Sequence, residues 1–466
     1  MRTFYFLILF SICFIDGLKA QEKPNIVFVL IDDLGWKDVS YMGSEFYETP
    51  HIDQLASKGM IFTNAYANAA NCAPTRASFL TGQYTSRHGV FTVANSDRGK
   101  SINRRLIPTP NSETVSLDKI TIAEALKPAG YTSAAIGKWH IGNSPQLQGF
   151  DVGMERIDLG YERGHFKDDG EYLTDQLTDE AVKFIEENKE QPFFLYLAHH
   201  AVHTPIQAKE EIIEKYVDKE GVNCHNDATY AAMIESVDES VGSVYQKLED
   251  TGLLNNTIFI FFSDNGGYGP KTCMRPLRGG KGMYYEGGIR EPMFVVWPDK
   301  IKPNSVADFP VISTDFYPTF LEIAGVKVPS NYPLDGLSIL PLLEGKKEMK
   351  RERLFWHFPA YLQAYTGLME DARDMLYRTR PVSVIRKGDW KLLMFLEEWT
   401  LDGGQANITS NNAIELYNLK EDIGESNNLA NVETAKRDEL LKDLMDWQKE
   451  INAPIPSEPN LEYEQQ

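Results

Sequence analysis

Five short apolar runs, Asn25–Ile31, Tyr131–Ile136, Phe193–Leu197, Thr257–Phe262 and Pro292–Trp297, punctuate the first two thirds of this chain. Runs this short that do not alternate with polar residues suit strands buried on both faces, as in a parallel sheet covered by helices. Amphipathic stretches lie between them. Thr121–Pro128 and Ala228–Glu249 read as helices, the second closed by Gly252 just past its end. Strands alternating with helices predict an α/β fold, a central mostly parallel sheet flanked by helices.

Past about Gly345 the texture changes. Strand-like runs Pro381–Arg386 and Trp390–Met394 stand among charged turns, and a helix is expected over about Val432–Ile451. The expected organisation is a signal peptide over 1–20, a main domain over 21–345 and a smaller α+β subdomain over 346–466. That subdomain should carry a small antiparallel sheet and a helix, and the tail from Pro454 reads as frayed.

Arg2, the apolar run Phe4–Ile15 and Leu18-Lys19-Ala20 have the layout of a secretory signal. The run is too short to span a bilayer, which needs roughly 20 residues. The chain is therefore expected to be exported, periplasmic or secreted, without a membrane span. Of the cysteines, Cys13 leaves with the signal, while Cys72, Cys224 and Cys273 remain. An odd thiol in an exported chain points to a cysteine with its own task. Cys224 and Cys273 can pair, but spacing alone does not establish it.

With 42% hydrophobic residues in 466, the chain can bury a large core, which excludes general disorder. A formal net charge of −20 argues against nucleic acid or anionic lipid as partners. An anionic substrate would need a local positive focus against that field.

Ligands of open α/β sheets bind beyond the carboxyl ends of the strands. Those ends here carry Asp32 and Asp33; Gly137, Lys138, Trp139 and His140; His199, His200 and His203; and Ser263, Asp264 and Asn265. Asp32, Asp33, Asp264 and Asn265 offer hard oxygen ligands, which favours calcium or magnesium over zinc. In Asn71-Cys72-Ala73-Pro74-Thr75-Arg76, Pro74 suits a first helical turn, placing Cys72 just before a helix whose N-terminus attracts an anion. Arg76 adds a permanent cation one turn in. A second basic stretch, Arg98-Gly99-Lys100 to Arg104-Arg105, reads either as a solvated loop or as a subsite for a polyanionic chain. His51, His88, His165 and His357 read as structural or pocket residues.

Cys72-Ala73-Pro74-Thr75-Arg76 resembles the signature of the type I, formylglycine-dependent sulfatases of the alkaline phosphatase superfamily, with Thr75 where Ser is commoner. The similarity extends through Asn25–Trp36, Gly137-Lys138-Trp139-His140, Ser263–Gly266, Leu277–Gly282, Glu286–Pro292, Glu415–Leu419 and Asn428–Ala430. One departure is His200-Ala201-Val202-His203, which lacks the family's proline but keeps His203 in place.

The resemblance implies conversion of Cys72 to formylglycine by a maturation enzyme. It also implies one Ca2+ held by Asp32, Asp33, Asp264, Asn265 and the modified Cys72. Arg76, Lys138, His140, His203 and Lys281 would surround the sulfate as catalytic residues. The substrate implied is a sulfated carbohydrate, either an algal polysaccharide such as ulvan or carrageenan or a glycosaminoglycan, cut by a bacterial polysaccharide sulfatase. Rival readings are a phosphodiesterase or phosphonate ester hydrolase of the same superfamily, and a non-catalytic carbohydrate-binding homologue.

Overall fold

The computed structural model describes residues 23–168, 170–346, 349–365 and 371–464. The expected signal peptide and Cys13 lie outside them. The strands of the main sheet are β1 (Asn25–Ile31), β2 (Met60–Phe62), β3 (Thr132–Gly137), β4 (Val152–Met154), β5 (Phe193–Ala198), β6 (Thr257–Ser263), β7 (Met293–Val296) and β8 (Ser305–Ala307). They lie in the order β8-β2-β7-β6-β1-β5-β3-β4. β1 sits near the middle, parallel to β5 on one side and β6 on the other, with Ile26 opposite both Phe194 and Ile258.

Side chains alternate across this sheet. Val27, Val29 and Ile31 enter one core layer, with helices α1 (Pro50–Lys58), α3 (Leu173–Glu187) and α4 (Ala228–Asp250). Ile26, Phe28 and Leu30 enter the opposite layer, with α2 (Cys72–Thr81) and α5 (Phe316–Ala324). Burial on both faces is why the strands read as unbroken apolar runs.

The expected mostly parallel sheet is present, but β7 runs antiparallel to β6, with Met293 opposite Phe262. A parallel neighbour needs a long crossover, usually helical. The 264–292 connection holds only the helical turn Glu286–Ile289.

The C-terminal part has its own antiparallel sheet, β9 (Leu354–Phe358), β10 (Val382–Lys387), β11 (Trp390–Phe395) and β12 (Ile414–Asn418), in that spatial order. Helix α6 (Thr434–Glu450) packs on β10 and β11. A buried ion cluster ties this sheet to the helical turn before β7: Lys391 Nζ of β11 lies 2.9 Å from both Glu286 Oε1 and Glu425 Oε1. Burial would raise the Glu286 carboxyl, but Lys391, Arg290 and Arg386 hold it ionised. Cys224 and Cys273 form a disulfide. The tail is not frayed up to residue 464: Asn460 donates to the carbonyls of Ser101 and Arg104, each at 2.8 Å, which ties the tail to the 98–105 segment.

Candidate active site

The site forms where β1, β3, β5 and β6 end, on the rim that α2 meets. Cys72 is the first residue of α2 rather than the residue before it, with Asn71 as its cap and Pro74 in the first turn. Proline is tolerated there because that turn's N–H groups have no helical acceptors. Every residue of α2 is buried, so its N-terminus is aimed into protein and not into solvent.

Arg76, one turn along, donates from Nε and Nη2 to Asp264 Oδ2 at 2.9 and 2.6 Å, and from Nη1 to the Lys138 carbonyl at 2.5 Å. Gly137 makes the turn after β3, at φ +102°, with the Ala198 carbonyl 2.0 Å from where a Cβ would stand. No other residue fits. The turn lets the Lys138 N–H donate to the Ala198 carbonyl at 2.7 Å. The side chain then reaches Cys72, with Nζ 3.6 Å from Sγ, while donating to Asp32 Oδ2. Lys281 Nζ donates to Asp33 Oδ2 at 2.6 Å, and His203 Nε2 stands 3.7 Å from the same oxygen. Asp33 and His140 both adopt φ +63°, left-handed backbone that is strained for such residues.

Burial alone would raise Asp32, but Lys138, His203, Arg76 and Lys281 hold it well below the usual carboxylate range. Asp264 is pushed up to about 7, first by burial and then by Asp32. Burial lowers His140 well below its ordinary value and brings His203 down to about 4. Burial also pushes the Cys72 thiol up.

The donor set fits a hard cation. Ligand atoms of Asp32, Asp33, Cys72 and His203 lie within 4.8 Å of one another. Asp32 Oδ1 and Asn265 Oδ1 are buried without a hydrogen-bond partner, although Asn265 Nδ2 donates to Asp33 Oδ1 at 2.8 Å. Buried oxygens left unpaired are costly unless something positive completes them.

All ten sequence-predicted site residues converge on this rim. His200, passed over in favour of His203, belongs beside them: its Nε2 is buried and unpartnered, and Lys138 and Asp32 act on its charge. Its neighbour His199 is structural, with Nε2 2.9 Å from Ser240 Oγ. His88 and His357 are likewise structural, bonded to Ser78 and Ser383.

Beside Lys281 opens a cavity of about 370 Å³ lined by Lys271, Arg275, Tyr365, Asp371 and the Cys224–Cys273 disulfide. Sequence reasoning did not find this wall, because its residues come from four separate segments.

Residues 24–326 match the family described as sulfatase, and 280–452 match the C-terminal part of N-sulphoglucosamine sulphohydrolase. The chain belongs to the sulfatase family. It is a sulfuric ester hydrolase. This sulfatase is similar to a sulfatase of Formosa agariphila, at 34% identity over 88% of this chain and 85% of the relative. It is also 32% identical to mouse N-acetylgalactosamine-6-sulfatase, over 74% of this chain and 71% of that one. Among solved structures, Ps i-CgsB in complex with k-i-k-neocarrahexaose is similar at TM-score 0.74 and 29% identity, covering 94% and 95% of the two chains. No helix among the described residues of this sulfatase is long and apolar enough to cross a membrane.

Proposed function

We propose that this sulfatase is an exported, calcium-dependent enzyme that hydrolyses sulfate esters of a sulfated polysaccharide or its oligosaccharides through formylglycine at position 72. The observation that carries the reading is Cys72, buried at the first turn of α2 with Lys138 Nζ 3.6 Å from its sulfur, beside Asp32 Oδ1 and Asn265 Oδ1, two buried oxygens without a hydrogen-bond partner. The carbohydrate substrate class is supported by the likeness to Ps i-CgsB, a structure holding k-i-k-neocarrahexaose. The 21–345 and 346–466 division is part of the same proposal.

Asp32, Asp33, Asp264, Asn265 and the residue at 72 would hold Ca2+, which supplies charge neutralisation at the sulfate. Formylglycine, when hydrated, supplies an oxygen nucleophile for sulfur. The remaining chemistry belongs to the chain's own side chains. Lys138 and Lys281 bind the sulfuryl oxygens and stabilise the charge that gathers there. Arg76, fixed by Asp264, holds the end of β6 and the turn after β3 in one arrangement. Lys281 Nζ, or His203 Nε2 when the ring is protonated, gives a proton to the departing alcohol oxygen. His140 takes a proton from the group at position 72 when sulfate leaves.

The test pairs an aryl sulfate with an aryl phosphate, with mass spectrometry of the peptide containing residue 72 from protein made in its native host. Faster turnover of the sulfate, loss of activity on chelation with recovery by Ca2+, and an aldehyde in place of the thiol are expected. Faster phosphate turnover would make the chain a phosphohydrolase, and an unmodified thiol would favour a non-catalytic carbohydrate-binding protein.

A further inference from the structure

The basic stretch 98–105 splits into two kinds of arginine. Arg105 is bound by Asp402 through two hydrogen bonds of 2.7 and 2.8 Å, and Arg104 Nη1 donates to the Gly99 carbonyl at 2.6 Å. Both are used up by the fold. Arg98 is half-buried and has no hydrogen-bond or carboxylate partner among the described residues.

The backbone around Arg98 is fixed. Ser96 accepts from the Tyr361 N–H at 2.8 Å, and Gly99 lies so close to Tyr377 that a Cβ there would stand 2.8 Å from the ring. The loop therefore crosses the hairpin formed by Leu362–Gln363 and Tyr377–Thr379. The same hairpin carries Arg378, whose guanidinium stacks over Tyr365 at 4.0 Å and donates to the Tyr365 hydroxyl at 2.7 Å. Arg378 also has no carboxylate partner among the described residues. It lies against the glycine that follows Lys281: a Cβ on Gly282 would be 3.1 Å from Arg378 Cδ. Tyr365 and Lys281 line one cavity.

Burial, then Arg378, pushes the Arg98 pKa down, and Tyr365 and Cys72 are near enough to act on it in the opposite direction. Two guanidinium groups near each other with no carboxylate partner among the described residues are unfavourable in the free protein. They form a ready site for an anion, which each can grip with paired N–H donors. The contrast with the catalytic cations is plain, since Arg76, Lys138 and Lys281 each have an aspartate.

We propose that Arg98 and Arg378 form an anion subsite beside Tyr365, which lines the same cavity as Lys281, and that this subsite reads a second anionic substituent, sulfate or carboxylate, on the saccharide whose sulfate ester is cleaved. This rests on the sulfatase reading and narrows its substrate to carbohydrates bearing more than one negative group.

The test measures binding without turnover, by calorimetry on the full chain carrying Cys72→Ala. The probes are galactose- and glucosamine-based disaccharides with one sulfate, with two sulfates, or with one sulfate and a uronate carboxylate. At least one doubly anionic probe should bind about tenfold tighter than its singly sulfated parent, in line with one added charge-assisted contact. Arg98→Gln should erase that preference, and Arg98→Lys should restore part of it. A preference only for the second sulfate, or only for the carboxylate, identifies the group read. No preference in any pair, or an Arg98→Gln loss equal for singly and doubly anionic probes, overturns the subsite. Aryl sulfate turnover by the wild-type enzyme checks the underlying reading separately: normal turnover without the binding preference sinks only the subsite.

Discussion

Lys281 holds a position that a passive cation would not need. Its Nζ is tied to Asp33 at 2.6 Å, and its backbone lies in a glycine-rich loop that packs under Arg378. Burial opposes its charge, but Asp33 and the neighbouring groups keep it cationic. Lys281→Ala is expected to lower kcat/KM at least about 100-fold, the scale of a lost proton donor or charge stabiliser. The two roles separate by leaving group. If Lys281 delivers the proton, the loss on an alkyl sulfate should exceed the loss on 4-nitrophenyl sulfate, whose anion leaves unaided. Equal losses would assign Lys281 to the sulfuryl oxygens alone and leave the proton to His203. Retained activity in Lys281→Ala would remove the residue from the chemistry.

Among the elements, the disulfide is placed to shape the cavity, because both Cys224 and Cys273 line it and the bond closes a separation of 49 residues. Replacing both by serine should cost about 2–4 kcal/mol of stability, read as a lower Tm. It should also raise KM for oligosaccharides more than it lowers kcat; an unchanged KM would mean that the staple serves folding only. The β1, β3, β5 and β6 strands were legible within a residue or so because burial on both faces leaves a continuous apolar run. The three-residue strands β2, β4 and β8 were not, since so short a segment carries no period. Nor was the direction of β7, which depends on the length and content of its connection rather than on its composition. Asp32, Lys138 and Asp264 were legible for the same topological reason as their strands. The 98–105 stretch was legible as a candidate polyanion subsite, but Arg378 beside Arg98 was not, because their pairing depends on how the second sheet sits against the first.

Across the whole molecule, the fold depends on a charged joint. Lys391 of the second sheet, Glu286 of the turn before β7 and Glu425 are fully buried together, and Tyr66 donates to Glu286 Oε2 at 2.7 Å. Removing one partner leaves uncompensated charge in the interior, at a cost of about 3–5 kcal/mol. Lys391→Met should therefore lower Tm steeply and separate the unfolding of the two parts in calorimetry, whereas a single unshifted transition would show the joint to be dispensable. The net charge of −20 also gains a different meaning at this scale. Within that negative total, Lys138, Lys281 and Arg76 are each held at the rim by an aspartate, so the cations an anionic substrate would meet are fixed in place.

The burial of Cys72 sets a clock. Its side chain is 1% exposed at the start of a helix with no solvent face, and burial pushes its thiol up against the pull of Lys138 and Lys281. If residue 72 is converted as proposed, a catalyst that must grip this segment has no access once α2 has docked, so conversion would have to precede closure of the sheet around it. A bulky maleimide should accordingly leave Cys72 untouched in folded, unconverted protein and label it in denaturant. Rapid labelling of the native state would show instead that the site opens on its own, and that maturation can follow folding.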